Sequence, residues 1–505
     1  MASGECGVWI QPRSTQHDDV DAASDSSPKH SHCRLECQAP QGSDLVSYDI
    51  IKTLSDLYFN NINPIIPLLG EEEFRGNLSQ SSATTSLVHA VCLVAAKGNE
   101  AKSHLKLLQS GDKLLSVRHF CTKLHSSIMK ELAWRAPIPK MTLIRILGLL
   151  SLHHEGSDGA EQASSCLSQA VHYAQTLGLQ LQLPRRKDNS AAMKRVFWCL
   201  WTLDRLNAAI HSRPCCMADI DIAVDYLTPE ESGSKAFDVW LKIAKLLNQV
   251  ISLYRPRSGG PFPELDAGFP GFEGIMDEMQ AWQLSHSTVA TLHIFYLATA
   301  ILAHRLKTIT ALPSPTQARL RQQLSAIQIL RNMQDQERLN ALHPIPIVVY
   351  APSLALSVFY QHLRFSRLRS DQEDARRDFD GACGILQELR KNWEAADPMA
   401  SLAQRISTAL ATLPSLEVLC LHRSDVMMAR EEGGNDAQRC QAEEGDDESS
   451  TLDTSFDHLH DPLRFLPEAE TIELFDGMND VSWMYLDVDN PVSFESFPLI
   501  DYQSL

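Results

Sequence analysis

The residues with most capacity for chemistry in this chain are its twelve cysteines. A binuclear zinc cluster needs six closely spaced thiolates, including Cys-x-x-Cys pairs, because two ions must share ligands within one small pair of loops. The cysteines here are scattered from Cys6 to Cys440. The nearest approach to a metal site is HSHCRLEC, with His30, His32, Cys33 and Cys37, and it lacks a second half-site. Most of the other cysteines fall inside apolar helical patterns, which predicts buried, reduced thiols. There is no nucleophile elbow, Gly-rich phosphate loop, HExxH helix or dinucleotide fingerprint. No catalytic, cofactor-binding or metal-ligating residue is therefore assigned, and no enzyme is expected. His153 and His154 are adjacent, so on a helix they face different sides and cannot form an i,i+4 metal pair. A place at a helix end, where partial negative charge favours imidazolium, is the expectation for them.

Charge inside an apolar stretch is the next signal. In MKRVFWCLWTLDRLNAAIH (193–211), Asp204 and Arg205 interrupt a pattern that is otherwise almost wholly apolar. Buried charges are costly unless paired. The spacing predicts an internal ion pair pinning helices, with Arg195 or Arg213 as candidate partners. A ligand-sensing carboxylate or guanidinium is the alternative.

Those residues need elements to hold them. The chain has 505 residues, 44% hydrophobic and 21% charged, with few aromatics and much Leu and Ala, which favours helices over sheets. LVSYDIIKTLSDLYFNNINPIIPLL carries Leu45, Ile50, Leu54, Leu57 and Tyr58 on one stripe and predicts a helix ending near Pro64. TSLVHAVCLVAA (85–96) is apolar nearly all round and predicts a buried helix. Residues 102–133 predict two amphipathic helices, and 141–156 a further buried one. Ala163, Leu167, Ala170, Ala174 and Leu177 are spaced by threes and fours, with Gly178 where a left-handed cap is expected. Later helices are expected at 237–254, 275–308, 315–342, 346–366, 371–396 and 399–421. The stretch 344–360 is the best candidate for a membrane span. Pro346 and Pro352 break it, and no apolar run long enough to cross is expected. The N-terminal MASGECGVWIQP lacks a basic-then-apolar pattern, so no secretory leader is expected. The reading is an all-α, large multi-helix array. A disordered polar leader (1–43) precedes the helical domain (44–425), and a disordered tail (426–505) follows it.

Of the 63 acidic and 45 basic residues, 20 and 2 lie within 431–505, which leaves 43 of each for the rest. The whole net charge of −18 thus resides in the tail. Such block asymmetry marks an interaction segment, and it disfavours nonspecific nucleic-acid binding by the chain itself. Among the tail's acids stand Phe475, Met478, Trp483, Met484, Tyr485, Leu486, Phe494 and Phe497. Charge keeps such a segment from collapsing and leaves its aromatics open to a partner groove, the physical logic of an acidic activation segment. A solvated tail, or one docked on its own domain, is the alternative. RRKDNSAAMKR (185–195) suits a nuclear-import signal or a solvated loop.

RVFWCLWTLDRLNAAIHSRPCCMADIDIAV resembles the central signature of the fungal-specific transcription factor domain, the middle homology region of zinc-cluster regulators. Arg195, Phe197, Trp198, Asp204, Arg205, Arg213, Pro214, Asp219, Asp221 and Ile222 fall where the family pattern has them. SCLSQAVHYAQTLGLQ is similar to the family's Leu-Gly-Leu helix. LYFNNINPIIPLL is similar to its opening segment, with Asn63 where a His is common. MQAWQL and LHIFYLATAILAHR supply Trp282, Tyr296, His304 and Arg305. Ser212 stands where a Gly is usual, and Ala223 where an acid is usual. The resemblance spans about 45–420, without a zinc cluster. It implies an all-α fold, a nuclear location and regulation of transcription, often of metabolic genes including secondary-metabolite ones. Many such domains are thought to restrain or gate activation. The expected partners are a coactivator or the transcription machinery through the tail, a DNA-bound zinc-cluster factor, and a small-molecule effector. The chain would act as an activator or co-regulator, with DNA contact supplied by a partner or by a zinc cluster missing here. The alternatives are a scaffold or inhibitor of a homologous factor, and an α-helical enzyme.

Overall fold

The computed structural model describes residues 45–412 except 81–83, 134–137, 154–157, 183–189, 255–268, 310–316 and 367. The polar leader, His154, residues 185–189 and the acidic tail with its anchors from Phe475 to Phe497 lie outside them. The chain divides into two units, Met1–Ser43, wholly outside the described residues, and Asp44–Leu505, which holds all of them. Among the described residues every regular element is a helix, as the composition predicts.

The first layer begins with α1 (Tyr48–Asn61), α2 (Glu71–Ser79) and α3 (Thr85–Ala95). α1 buries Leu54, Tyr58 and Phe59, and α3 buries every residue from Ser86 to Ala95. That all-round burial follows from its position, packed at once against α1, α4 (Val117–Ala133) and α5 (Lys140–Leu150). Asn63 ties the turn after α1, its side-chain oxygen accepting from Tyr58 Oη at 3.2 Å and from the Leu69 amide at 3.3 Å. α6 (Gly159–Thr176) packs on α5 and ends at Gly178, whose φ of +63° is the left-handed cap its sequence predicts.

α7 (Ser190–His211) joins the layers. It touches α5 and α6 on one side and, beyond the short α8 (Pro229–Ser232), α9 (Lys235–Tyr254) on the other. α8 opens with a full capping box between Thr228 and Glu231. After α10 (Phe272–Glu278), α11 (His286–Ile309) lies on α9. α12 (Gln317–Met333), α13 (Gln336–Ala341), α14 (Ile347–Phe365), α15 (Arg369–Leu389) and α16 (Asp397–Thr412) complete the second layer.

The structure corrects several expectations. Residues 102–133 hold one α-helix, not two. Before it the chain makes two 3-10 turns, the second ending at Gly111 with φ +59°, and Ser116 then starts α4 by accepting from the His119 amide at 3.3 Å. The predicted helix 275–308 is two helices, α10 and α11. The predicted 315–342 breaks at Asp335, which caps α13 by accepting from the Arg338 amide at 2.8 Å. Pro352 does not break its segment and lies inside α14. Its neighbours Ala351, Leu354 and Ala355 are fully buried, and that packing outweighs the one backbone hydrogen bond a proline forfeits. Among the described residues one helical stretch, His286–His304 in α11, is long and apolar enough to cross a membrane by length and composition. It is 67% buried inside the protein, as befits a helix packed by α9, α12 and α14 at once.

His153 sits past the end of α5, with its ring 5.0 Å from that of His125. Burial, and then the charge of Lys97, pushes His125 down. Burial likewise lowers His343 to about 4, and burial with the nearby Arg213 charge lowers His211 to about 4. A histidine depressed in the folded state resists protons that the unfolded chain accepts. Stability is therefore full above the ordinary value of 6.5, falls as pH drops below it, and levels off near 4. The urea midpoint should be clearly lower at about pH 5 than at about pH 7.5, and equal midpoints would refute the assignment.

Candidate functional site

The chemistry-bearing residues of the sequence converge on α7 and the segment that follows it. α7 is apolar because it is enclosed on both sides, with Phe197, Cys199 and Leu200 fully buried. Asp204 and Arg205 lie within that enclosure, both 0% exposed.

The chain leaves α7 through Ser212, which adopts φ +54°. A left-handed residue costs a side chain with a Cβ more than it costs glycine, which gives a physical reason for the family's usual Gly at this place. The turn sends Cys215–Asp225 back along α7, and successive turns of the helix fasten it. Asp204 accepts from the Cys216 amide (2.9 Å) and the Met217 amide (3.0 Å). Arg205 donates through Nη1 to Asp204 (2.5 Å), through Nη2 to the Met217 carbonyl (2.8 Å) and to Asp219 (2.6 Å), and through Nε to Asn248 of α9 (2.8 Å). Trp201 Nε1 donates to the same Asp219 oxygen at 2.9 Å, and Asn248 donates to the other at 2.9 Å. One turn earlier, Trp198 Nε1 donates to the Asp225 carbonyl at 3.0 Å and stacks on Tyr226, with ring centres 4.4 Å apart.

The electrostatics follow from this asymmetry. Burial pushes the Asp204 carboxyl up, against the pull of the two amides and Arg205. Burial also pushes Asp219 up, but the Trp201 and Asn248 hydrogen bonds and the Arg205 charge more than offset it and hold it low. The Asp219 side chain is 47% exposed, so its half of the network is screened by water. The Asp204 oxygens and three guanidinium nitrogens are engaged within the protein, so the arrangement positions backbone rather than offering a reactive group.

The sequence-predicted residues are thus only partly united. Asp204, Arg205 and Asp219 form one network, with Trp198 beside it and Phe197 buried in the core. The pairing differs from the expected one: Arg205 pairs with Asp204, its neighbour in the chain, and with Asp219. Arg195 lies elsewhere, its Nη1 3.5 Å from where a Cβ on Gly233 would sit. Arg213 follows the Ser212 turn, next to the exposed Pro214, and Asp221 is exposed on a 3-10 turn. Trp282 is half-exposed and donates to Asp277 at 2.6 Å. Sequence reasoning missed Trp201 and Asn248. Asn248 had a weak signal, an amide following the apolar pair Leu246–Leu247 of α9.

The sequence matches a family model described as "Fungal specific transcription factor domain" over residues 55–333, from α1 to the end of α12. Among solved structures, one similar chain belongs to "Structure of the K. lactis CBF3 core". It is 14% identical, with 77% of this chain and 89% of that one covered, at a TM-score of 0.44. No curated protein matches the sequence.

Proposed function

Because this chain belongs to the fungal-specific transcription factor domain family, we propose that it regulates transcription in the nucleus, with the helical body as regulatory domain and residues 431–505 as an activating segment. The observation that carries the reading is the family match, which spans more than half of the chain. The sequence adds a body with balanced charge joined to a tail of net −18, in which Phe475, Met478, Trp483, Met484, Tyr485, Leu486, Phe494 and Phe497 stand among acids. Aromatics kept apart by like charge suit a shallow apolar groove on a coactivator. The body has no excess of basic residues to neutralise phosphates, so DNA contact falls to a zinc-cluster partner or to a cluster outside this sequence. The network around Arg205 suits a domain whose task is to hold a shape, since it fixes a loop and leaves no reactive group free.

The test is a nuclear fusion of the chain to an unrelated DNA-binding domain, read by a reporter gene. The fusion should activate, and removing 431–505, or replacing Phe475 and Trp483 with Ala together, should return the reporter to background. Undiminished output without the tail would overturn the activating role. Output that rises instead would favour an inhibitor of a homologous factor.

A further inference from the structure

The two helical layers are joined through α7 and α9. Away from that junction they also meet directly. Arg118 of α4 bonds Asp397 of α16 at 2.5 Å, and the Lys97 ammonium lies 4.0 Å above the Trp393 ring. Along this seam runs a groove made of two voids that share Gly98, Asn99, Asn340, Leu342, His343 and Pro344 as walls. The larger void is about 380 Å³, within the usual range for small-molecule pockets. Its walls are rich in neutral hydrogen-bonding groups: Asn60, Asn61, Asn99, Asn340, Ser285 and Ser287. His343 stands there uncharged at neutral pH, lowered by burial and bonded to the Thr288 hydroxyl at 2.9 Å. Glu100 is the one acid among these walls; it is exposed and accepts from Asn61 at 3.2 Å.

The other end differs in charge. Lys97, Lys102 and Lys391 line it with a single acid, Glu388, which is committed to Lys391 through both oxygens at 2.7 Å. Burial, and next the charge of Lys391, pushes Lys102 down, with Glu388 acting the other way. A cationic end beside a chamber of amides and hydroxyls is complementary to one kind of molecule: a small anion whose remainder is uncharged and hydroxylated.

We propose that this groove binds a small hydroxylated organic anion. Its carboxylate or phosphate sits at the lysine end and its hydroxyls among the asparagines. Because the walls come from both layers, the bound molecule ties them together. This names a signal for the regulatory body proposed above, and rests on that reading for its consequence alone. Binding itself is read without transcription, so a failed reporter assay leaves the result untouched.

The experiment is thermal unfolding of the full chain with gluconate, glucose 6-phosphate, sorbitol, and sodium chloride at matched ionic strength. Gluconate or glucose 6-phosphate at saturation should raise Tm by about 3 °C or more, following ligand linkage in a body of this size. Whichever of the two acts identifies the anion as carboxylate or phosphate. Sorbitol and the salt should leave Tm in place. The double change Lys102→Ala and Lys391→Ala removes two exposed or half-exposed side chains, so the ligand-free Tm should hold while the rise is lost. Asn340→Leu, in the chamber instead, should weaken it several-fold in ligand concentration. The proposal is overturned if neither anion raises Tm, if sorbitol or salt does as much, or if the double variant responds like the parent.

Discussion

Replacing Arg205 with Ala is expected to destabilise the helical body by about 3–5 kcal/mol, the usual cost of stripping one partner from a buried ion pair. The loss has identifiable parts. Asp204 would remain 0% exposed without its cation, held by the Cys216 and Met217 amides and the Cys216 side chain. The Met217 carbonyl and the Asn248 side-chain oxygen would lose the guanidinium donor, and Asp219 would keep only Trp201 and Asn248. Lysine is no remedy. It keeps the charge, but a single ammonium cannot replace three guanidinium nitrogens bonded in three directions, and Arg205→Lys should still cost about 1.5–3 kcal/mol. The informative comparison is the double change Asp204→Asn with Arg205→Met. It leaves no orphaned charge and keeps an acceptor for one amide, so it should cost less than Arg205→Ala alone despite altering more atoms. Asp219→Asn should cost only about 1 kcal/mol, because water already screens that half of the network. Urea unfolding followed by circular dichroism measures all four. A loss below about 1 kcal/mol for Arg205→Ala would show that the pair is not what holds the loop.

The second large effect is expected at Trp240 of α9, fully buried where α9 meets both α7 and α11. Its ring centre lies 4.2 Å from that of Phe295 in α11, and its Nε1 donates to Thr202 of α7 at 3.0 Å. Trp240→Ala should cost about 3–5 kcal/mol, the range for emptying a large aromatic site in a core that cannot collapse around it. Trp240→Phe separates packing from hydrogen bonding. Thr202 keeps its own bond to the Cys199 carbonyl at 2.8 Å, so no buried donor is orphaned and the cost should fall to about 1–2 kcal/mol. Equal losses for Phe and Ala would place the energy in the indole N–H rather than in the ring.

These two sites mark the boundary of what the sequence made legible. Helices with a strong apolar period could be read directly: α3 is apolar all round and buried all round, and α6 ends at the Gly178 that its spacing points to. Burial of Asp204 and Arg205 was legible for the same reason, since a charged pair amid apolar neighbours has nowhere else to go. Their partners were not. Asp219 is brought back to Arg205 by the Ser212 turn, and Asn248 comes from another helix. Helical periodicity says nothing about either return path. The failure at 102–133 has a different cause. LKLLQSGDKLL has an acceptable apolar spacing, yet it forms only a single 3-10 turn that Gly111 ends at positive φ. Pro352 shows the converse, a breaker by local rules that tertiary packing overrules.

The ladder from α7 to the returning segment has one more consequence. Residues 198, 201 and 204–205, spaced by single helical turns, hold positions 225, 219 and 216–217 in reverse order. Both flanks of the Ser212 turn are thus held by bonds outside the turn itself: one by the helix, the other by the rungs. The two sides behave as a noncovalent pair that happens to be tethered, and the tether could be lengthened or relocated with the rungs still in register.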